Sequence, residues 1–228
     1  MTLEWLAAFG KSFLFVLAAL LPILNPAATA PIFLGLTEGA SERTRALLAR
    51  RIARYMLCLM LGSMLIGSYV LEFFGISLPI VRVGGGLILA ATAWRLLTAN
   101  HVSEDSRTGL AEAFTPEMAR RHAFYPLTFP VSCGPGSIAA AITVGVSLSD
   151  PRMTVALARV GGGVAALVAI AVLLYLAFRY AEHLLRPLGE AGSVIFLRLS
   201  AFILLCLGVQ IIWMGLSGLL EPLLAVRR

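Results

Sequence analysis

Two stretches decide how this chain is read: residues 21–29, LPILNPAAT, and residues 126–137, PLTFPVSCGPGS. Each interrupts a long apolar run with prolines and polar side chains, and the second adds glycines. Proline deletes an N–H and clashes with the preceding turn, so each stretch predicts a broken helix. No Asp, Glu, Lys or Arg occurs over 12–37 or 123–149, the runs that contain them, or over 160–178 and 199–220. About 20 apolar residues at 1.5 Å rise cross a hydrocarbon core of roughly 30 Å. Of the 228 residues 59% are apolar and 13% charged, against roughly 25% charged in an ordinary soluble domain. Composition therefore excludes a water-soluble enzyme and predicts an all-α, polytopic membrane protein.

Working outward, hydropathy predicts six transmembrane segments: 12–36, 44–73, 77–98, 123–148, 152–180 and 195–219. They form a single membrane domain over 1–228, with one repeat at 1–98, a polar connection at 99–122 and a second repeat at 123–228. Ser41 before Glu42, Asp150 before Pro151, and Thr115-Pro116-Glu117 read as helix starts. Lys11, the run Phe13–Leu24 and the small residues Ala28, Thr29 and Ala30 imitate a cleavable signal peptide. The apolar character continues to Leu36, so this stretch is read as the first membrane helix.

The halves align. At an offset of 109, Pro26 falls on Pro135, Ala30 on Ala139, Ser41 on Asp150, Arg43 on Arg152, and Leu48-Ala49-Arg50 on Leu157-Ala158-Arg159. Later the offset becomes 116, pairing Ser77 with Ser193 and Arg82 with Arg198, which implies an insertion near His183–Glu190. Three spans per half turn the second half over, giving a 3+3 inverted-topology repeat with helices one and four broken, an arrangement that recurs in secondary transporters. Most arginines lie on the side of the 1–2, 3–4 and 5–6 connections, so that side is expected to be cytoplasmic and both termini outside.

The breaks are the expected substrate site. Bilayer hydrocarbon cannot satisfy freed carbonyls, so broken helices survive inside protein or along a wet cavity. Each break also starts a half-helix whose first amides suit a carboxylate. These starts are Pro26 with Ala27, Ala28 and Thr29, and Gly134-Pro135 with Gly136, Ser137 and Ile138. Asn25, Thr128, Ser132 and the freed carbonyls would accept from an ammonium, and a lining of Ala, Gly and Ser favours a short side chain. A small zwitterionic amino acid is thus the expected partner, beside the lipid bilayer. Isolated membrane prolines usually serve packing alone; a matched pair argues for function.

Arg82 and Arg198, at repeat-equivalent positions, either snorkel to the interface or pin carbonyls at the breaks. A membrane arginine costs roughly 2.5–3.5 kcal/mol at the bilayer centre on translocon scales. Gly84-Gly85-Gly86, Gly161-Gly162-Gly163, and the spacings Ser137/Ala141/Gly145 and Gly161/Ala165/Ala169 predict close helix packing. Cys58, Cys133 and Cys206 are isolated, and His101, His122 and His183 are scattered, so no metal or disulfide framework is expected. No catalytic residue, no cofactor and no nucleic-acid partner is expected either. Coupling to H+ or Na+ and a homo-oligomeric state are compatible with the sequence.

Leu24-Asn25-Pro26 followed by PIFL at 31–34, GISL at 75–78, RVGGGLIL at 82–89 and PLTFPVSCGPGS at 126–137 resembles the MarC family of six-span membrane proteins over nearly the whole chain. That family is similar to amino-acid exporters of the LysE type. The resemblance implies transport of small neutral amino acids of the glycine, alanine, serine and threonine class in the cell (inner) membrane. It points to Asn25-Pro26, Arg82, Gly134-Pro135-Gly136 and Arg198 as the positions that matter. Ser132-Cys133 departs from a more apolar expectation and bears on substrate preference. The alternatives are an exporter of other small metabolites or drugs, and a non-transporting membrane subunit.

Overall fold

In the computed structural model, residues 2–37, 40–98, 123–185 and 189–225 are described, and they are helical apart from short connections. The elements are α1 (Thr2–Leu24), α2 (Pro26–Leu36), α3 (Glu42–Phe73), α4 (Leu78–Thr98), α5 (Ala123–Ser132, widely wound), α6 (Pro135–Ser147), α7 (Met153–Arg179), α8 (Ala181–Leu185) and α9 (Gly189–Ala225). The polar connection 99–122, with Thr115-Pro116-Glu117, lies outside the described residues.

The six expected segments are redistributed. Four helices carry spans long and apolar enough to cross a membrane: Glu4–Leu24, Glu42–Phe73, Met153–Arg179 and Ala201–Leu220. The first and last helices run longer than hydropathy suggested, starting at Thr2 and Gly189. The fourth segment is divided into α5 and α6, and α4 carries Arg82 and Arg95 within its 21 residues. Large apolar side chains cover the outside, among them Ile66 (58% exposed), Phe73 (84%) and Trp213 (63%). That inversion of the soluble pattern is what a lipid solvent requires.

The core is built from every fourth residue. Ser12, Val16, Leu20 and Leu24 are buried on α1; Leu48, Ile52, Met56, Met60 and Met64 on α3; Ala158, Gly162, Ala166, Ile170, Leu174 and Phe178 on α7. Side chains four apart form one ridge of a helix, the unit of ridge-into-groove packing. The α7 ridge corrects an expectation: Gly162, not Gly161, faces the interior, where an added Cβ would meet the Phe9 carbonyl oxygen and, at 3.0 Å, the Phe13 nitrogen. An all-apolar helix has no polar face to set its phase, so a glycine triplet leaves the register open by one residue.

Extensive packing joins residues before 99 to residues after 122: α4 on α9, α1 on α7, α3 on α6 and α7, and α4 on α6. Phe33 of α2 stacks on Phe178 of α7, with centroids 4.5 Å apart and planes 2° from parallel.

Connections differ between the halves. α3 ends in a Schellman motif in which Gly75 takes φ +65, Gly75 N donates to Glu72 O at 3.0 Å and Ile76 N to Leu71 O at 2.9 Å. At the corresponding place after α7 the chain inserts α8. Ser41 caps α3, accepting from Thr44 N at 3.2 Å. Asp150 does not cap α7: the helix begins at Met153 with Arg152 as its cap residue, and the Asp150 carboxylate instead accepts from Arg152 N at 3.0 Å. Pro151 therefore sits in the connection and not at the first helical position.

Candidate functional site

The first break is made by one residue. Asn25 adopts φ 39, the left-handed region that non-glycine residues rarely enter. Pro26 then opens α2 without an N–H to donate. The ladder nonetheless bridges the break: Asn25 N donates to Leu21 O at 2.8 Å and Thr29 N to Asn25 O at 3.1 Å. The Thr29 hydroxyl donates to the same carbonyl at 3.1 Å, and lies 3.3 Å from Pro26 O. Leu24, Pro26, Thr29 and Ala30 are buried, while Asn25 is half-buried.

The second break is spread over ten residues and built from a tetrad used twice, Tyr125-Pro126-Leu127-Thr128 and Phe129-Pro130-Val131-Ser132. A residue before proline is driven out of the helical region. Tyr125 (φ −120, ψ 126) and Phe129 (φ −114, ψ 123) are accordingly extended. The hydroxyl closing each tetrad donates to a carbonyl five residues back. Thr128 donates to Ala123 O at 2.6 Å and Ser132 to Leu127 O at 2.7 Å. Both hydroxyls are buried. The backbone itself adds Cys133 N to Thr128 O at 2.8 Å.

Gly134 precedes α6 in an extended conformation (φ −91, ψ 176), with Pro135 at the first turn. Its carbonyl accepts from Ser137 N at 3.0 Å, Ile138 N at 3.2 Å and the Ser137 hydroxyl at 2.7 Å. Of the six amides expected to hold a carboxylate, those of Thr29, Ser137 and Ile138 are thus engaged by carbonyls at the breaks. Gly136 packs directly on α4: an added Cβ would lie 2.9 Å from Leu89 Cβ and 3.0 Å from Gly85 O. It therefore serves a helix contact that its place in the GPG motif did not reveal.

The arginines part company. Arg82 is half-buried, and its Nε donates to Thr143 Oγ1 at 3.2 Å. Thr143 in turn donates to Ala139 O at 2.9 Å. Arg82 thus reaches the helix that follows the second break through a hydroxyl instead of pinning a carbonyl at the break itself. Arg198 is exposed on α9, with no protein hydrogen bond among the described residues. At an offset of 109 the residue aligned with Thr143 is Leu34, whose side chain has no acceptor to offer. Among the described residues no cluster of His, Cys, Asp or Glu fits a metal.

Two contacts tie the connections together. Arg45 of α3 bridges Glu182 of α8 at 2.9 Å, and its Nε reaches Thr37 O at 3.3 Å. Asp150 is held by Arg159 at 3.0 Å and lies 3.6 Å from Arg152 Nε. The Arg152 amide first, and the Arg159 and Arg152 charges after it, keep the Asp150 carboxyl below its ordinary value of 3.8.

Residues 10–220 match the family described as "MarC family integral membrane protein". The chain is similar to the "UPF0056 inner membrane protein MarC" of Escherichia coli O1:K1, 31% identical over 207 residues, covering 90% of this chain and 92% of that protein. It is likewise similar to the protein of the same name from Citrobacter koseri, 32% identical over 213 residues, with 90% and 92% covered. The "UPF0056 membrane protein MJ1677" of Methanocaldococcus jannaschii is 30% identical over 213 residues, with 91% and 97% covered. No solved structure matches.

Proposed function

Because the chain belongs to the MarC family of integral membrane proteins and is a multi-pass protein of the inner membrane, we propose that it is a secondary transporter of small neutral amino acids. The observation that carries this reading is the pair of proline breaks, Asn25-Pro26 and Gly134-Pro135, at matching positions of two halves that pack on each other. On this reading α1–α2, α3 and α4 form one repeat, and α5–α6, α7 and α9 form an inverted second one. The pairing of α1 with α7 and of α3 with α6 supports it, since each half then lays its broken helix on the other half's second helix. The Arg45–Glu182 bridge brings the 1–2 and 5–6 connections to one face, as three spans per half require.

The chemistry follows from scarcity of charge at the breaks. A zwitterion there must have its carboxylate met by first-turn amides and its ammonium by carbonyls and by Asn25, Thr128 or Ser132. The two hydroxyls keep lone pairs for this after donating their protons to the backbone. No catalytic residue takes part. Driving by H+ or Na+ and assembly into a homo-oligomer complete the proposal, with both termini outside the cytoplasm.

The test is uptake of labelled alanine by the purified chain in proteoliposomes, with competitors. Glycine, serine and threonine are expected to compete, and leucine, lysine and a large organic cation are not. Preference for the cation would replace the amino-acid assignment with that of a drug exporter. A folded chain that moves no solute of the panel would be a non-transporting subunit.

A further inference from the structure

A cavity of about 460 Å³ opens where the start of α1 meets the connection between α6 and α7. Its polar lining is Glu4, Lys11, Ser12, Ser147, Arg152 and Arg159. Glu4, Lys11 and Ser12 recur at helical spacing on one face of α1. Three cations thus meet one carboxylate, and Asp150 behind the lining is shared between the two arginines. Neither Lys11 nor Glu4 has an ion-pair partner among the described residues. Lys11 is exposed.

Ser12 sharpens the picture. It is only 6% exposed, sits at the end of the buried ridge of α1, and lines the cavity. A hydroxyl on the cavity wall can donate to an oxyanion that enters it. The cationic side suits an oxyanion, and Glu4 suits an ammonium.

We propose that this cavity is a vestibule that holds a small zwitterionic amino acid before it reaches the breaks. Lys11, Ser12 and Arg159 meet the carboxylate, and Glu4 meets the ammonium. The inference rests on the transport reading for the identity of the solute. The repeat offset pairs Lys11, Arg152 and Arg159 with Arg120, Arg43 and Arg50, so an equally basic trio stands at the positions related by that offset.

Lys11 is the only lysine of the chain, which makes it a unique reporter. Reductive methylation of the purified full chain with 13C-formaldehyde gives Lys11 a dimethylammonium that keeps its charge and is visible by NMR. The Lys11→Arg chain identifies its signal against that of the N-terminus. Alanine is expected to shift this signal saturably. Lactate and alaninamide, each lacking one charge, should bind about tenfold more weakly, the scale of one lost charged hydrogen bond. Ser12→Ala should weaken both alanine and lactate, and Glu4→Gln should weaken alanine but not lactate.

A signal indifferent to alanine overturns the proposal. So does a signal that answers to inorganic phosphate or to phosphatidylglycerol nanodiscs in place of alanine, which would make the cavity a lipid-headgroup site. Alanine uptake without a Lys11 response removes the vestibule and leaves the transporter. A Lys11 response without uptake removes the transporter and leaves the binding site.

Discussion

The two breaks occupy matching positions and are built by opposite means. At the first, an asparagine takes the left-handed backbone; at the second, the matching residue is a glycine that takes an ordinary extended one (φ 39 against φ −91). The first break concentrates its cost in one strained residue and keeps its ladder almost continuous. The second distributes the deformation over two prolines, widens the helix, and backs each step with a hydroxyl that donates to a carbonyl five residues back. A helix can therefore be interrupted by strain at one residue or by a widened turn backed by hydroxyls, and this chain does one in each half.

The largest difference should appear where the halves touch their neighbours. Gly136 matches Ala27, and Gly85 matches Ala201. Gly136→Val would drive a side chain into Leu89 and Gly85 and should cost about 1–3 kcal/mol of stability by overpacking. Ala27→Val should cost clearly less, as read by thermal unfolding in detergent. Equal losses would erase the asymmetry. The same contact disqualifies Gly136→Val as a selective probe of transport.

Next come the hydroxyls. Thr128→Val removes the buried hydroxyl that donates to the Ala123 carbonyl at 2.6 Å and should cost about 0.5–1.5 kcal/mol. Thr29→Val should cost less, because its hydroxyl makes longer contacts, 3.1 and 3.3 Å. If Thr29→Val is the worse of the two by thermal unfolding, the second break does not depend on its hydroxyls.

Backbone strain ranks third. Asn25→Ala should destabilise by about 1–2 kcal/mol, whereas Asn25→Gly should recover most of that loss. Gly134→Ala should carry no comparable backbone penalty, since its conformation is open to any residue. A destabilising Asn25→Gly would show that the Asn25 side chain, and not its φ, governs the turn.

Smallest is the difference between the helix starts after each half-helix. The Asp150 carboxyl is held below 3.8 by the Arg152 amide and the two arginines. Its contribution is therefore present above that value and lost as pH falls through the lower folded one. Amides at the start of α7 should exchange faster with solvent below about pH 4, while those at the Ser41 cap should not respond. Matching behaviour at both ends would mean that Asp150 bears no load.

Much of this was legible in the sequence because proline and glycine act locally. The broken helices at Pro26 and Pro135 and the Ser41 cap follow from local sequence alone. What was hidden depends on contacts between the halves or on phase. Thr143 carries no mark as the partner of Arg82, since the two lie 61 residues apart. Thr128 and Ser132 read as free ligand groups, although a hydroxyl two residues after a proline has the carbonyl five residues back within reach. Asp150 read as a cap because Pro151 suits a first helical position, but the helix starts two residues later.

Cys133 offers the most direct test of the claim that these breaks are a transport site and not two packing kinks. It lies beside the second break, is 1% exposed and is the one buried cysteine of the three. In a chain with Cys58→Ser and Cys206→Ser, reconstituted and active in alanine uptake, a water-soluble thiol reagent is added with and without alanine. The account predicts that Cys133 reacts, because transport must open the break to water, and that saturating alanine changes the rate several-fold. Brisk alanine uptake with Cys133 inert under both conditions would contradict it.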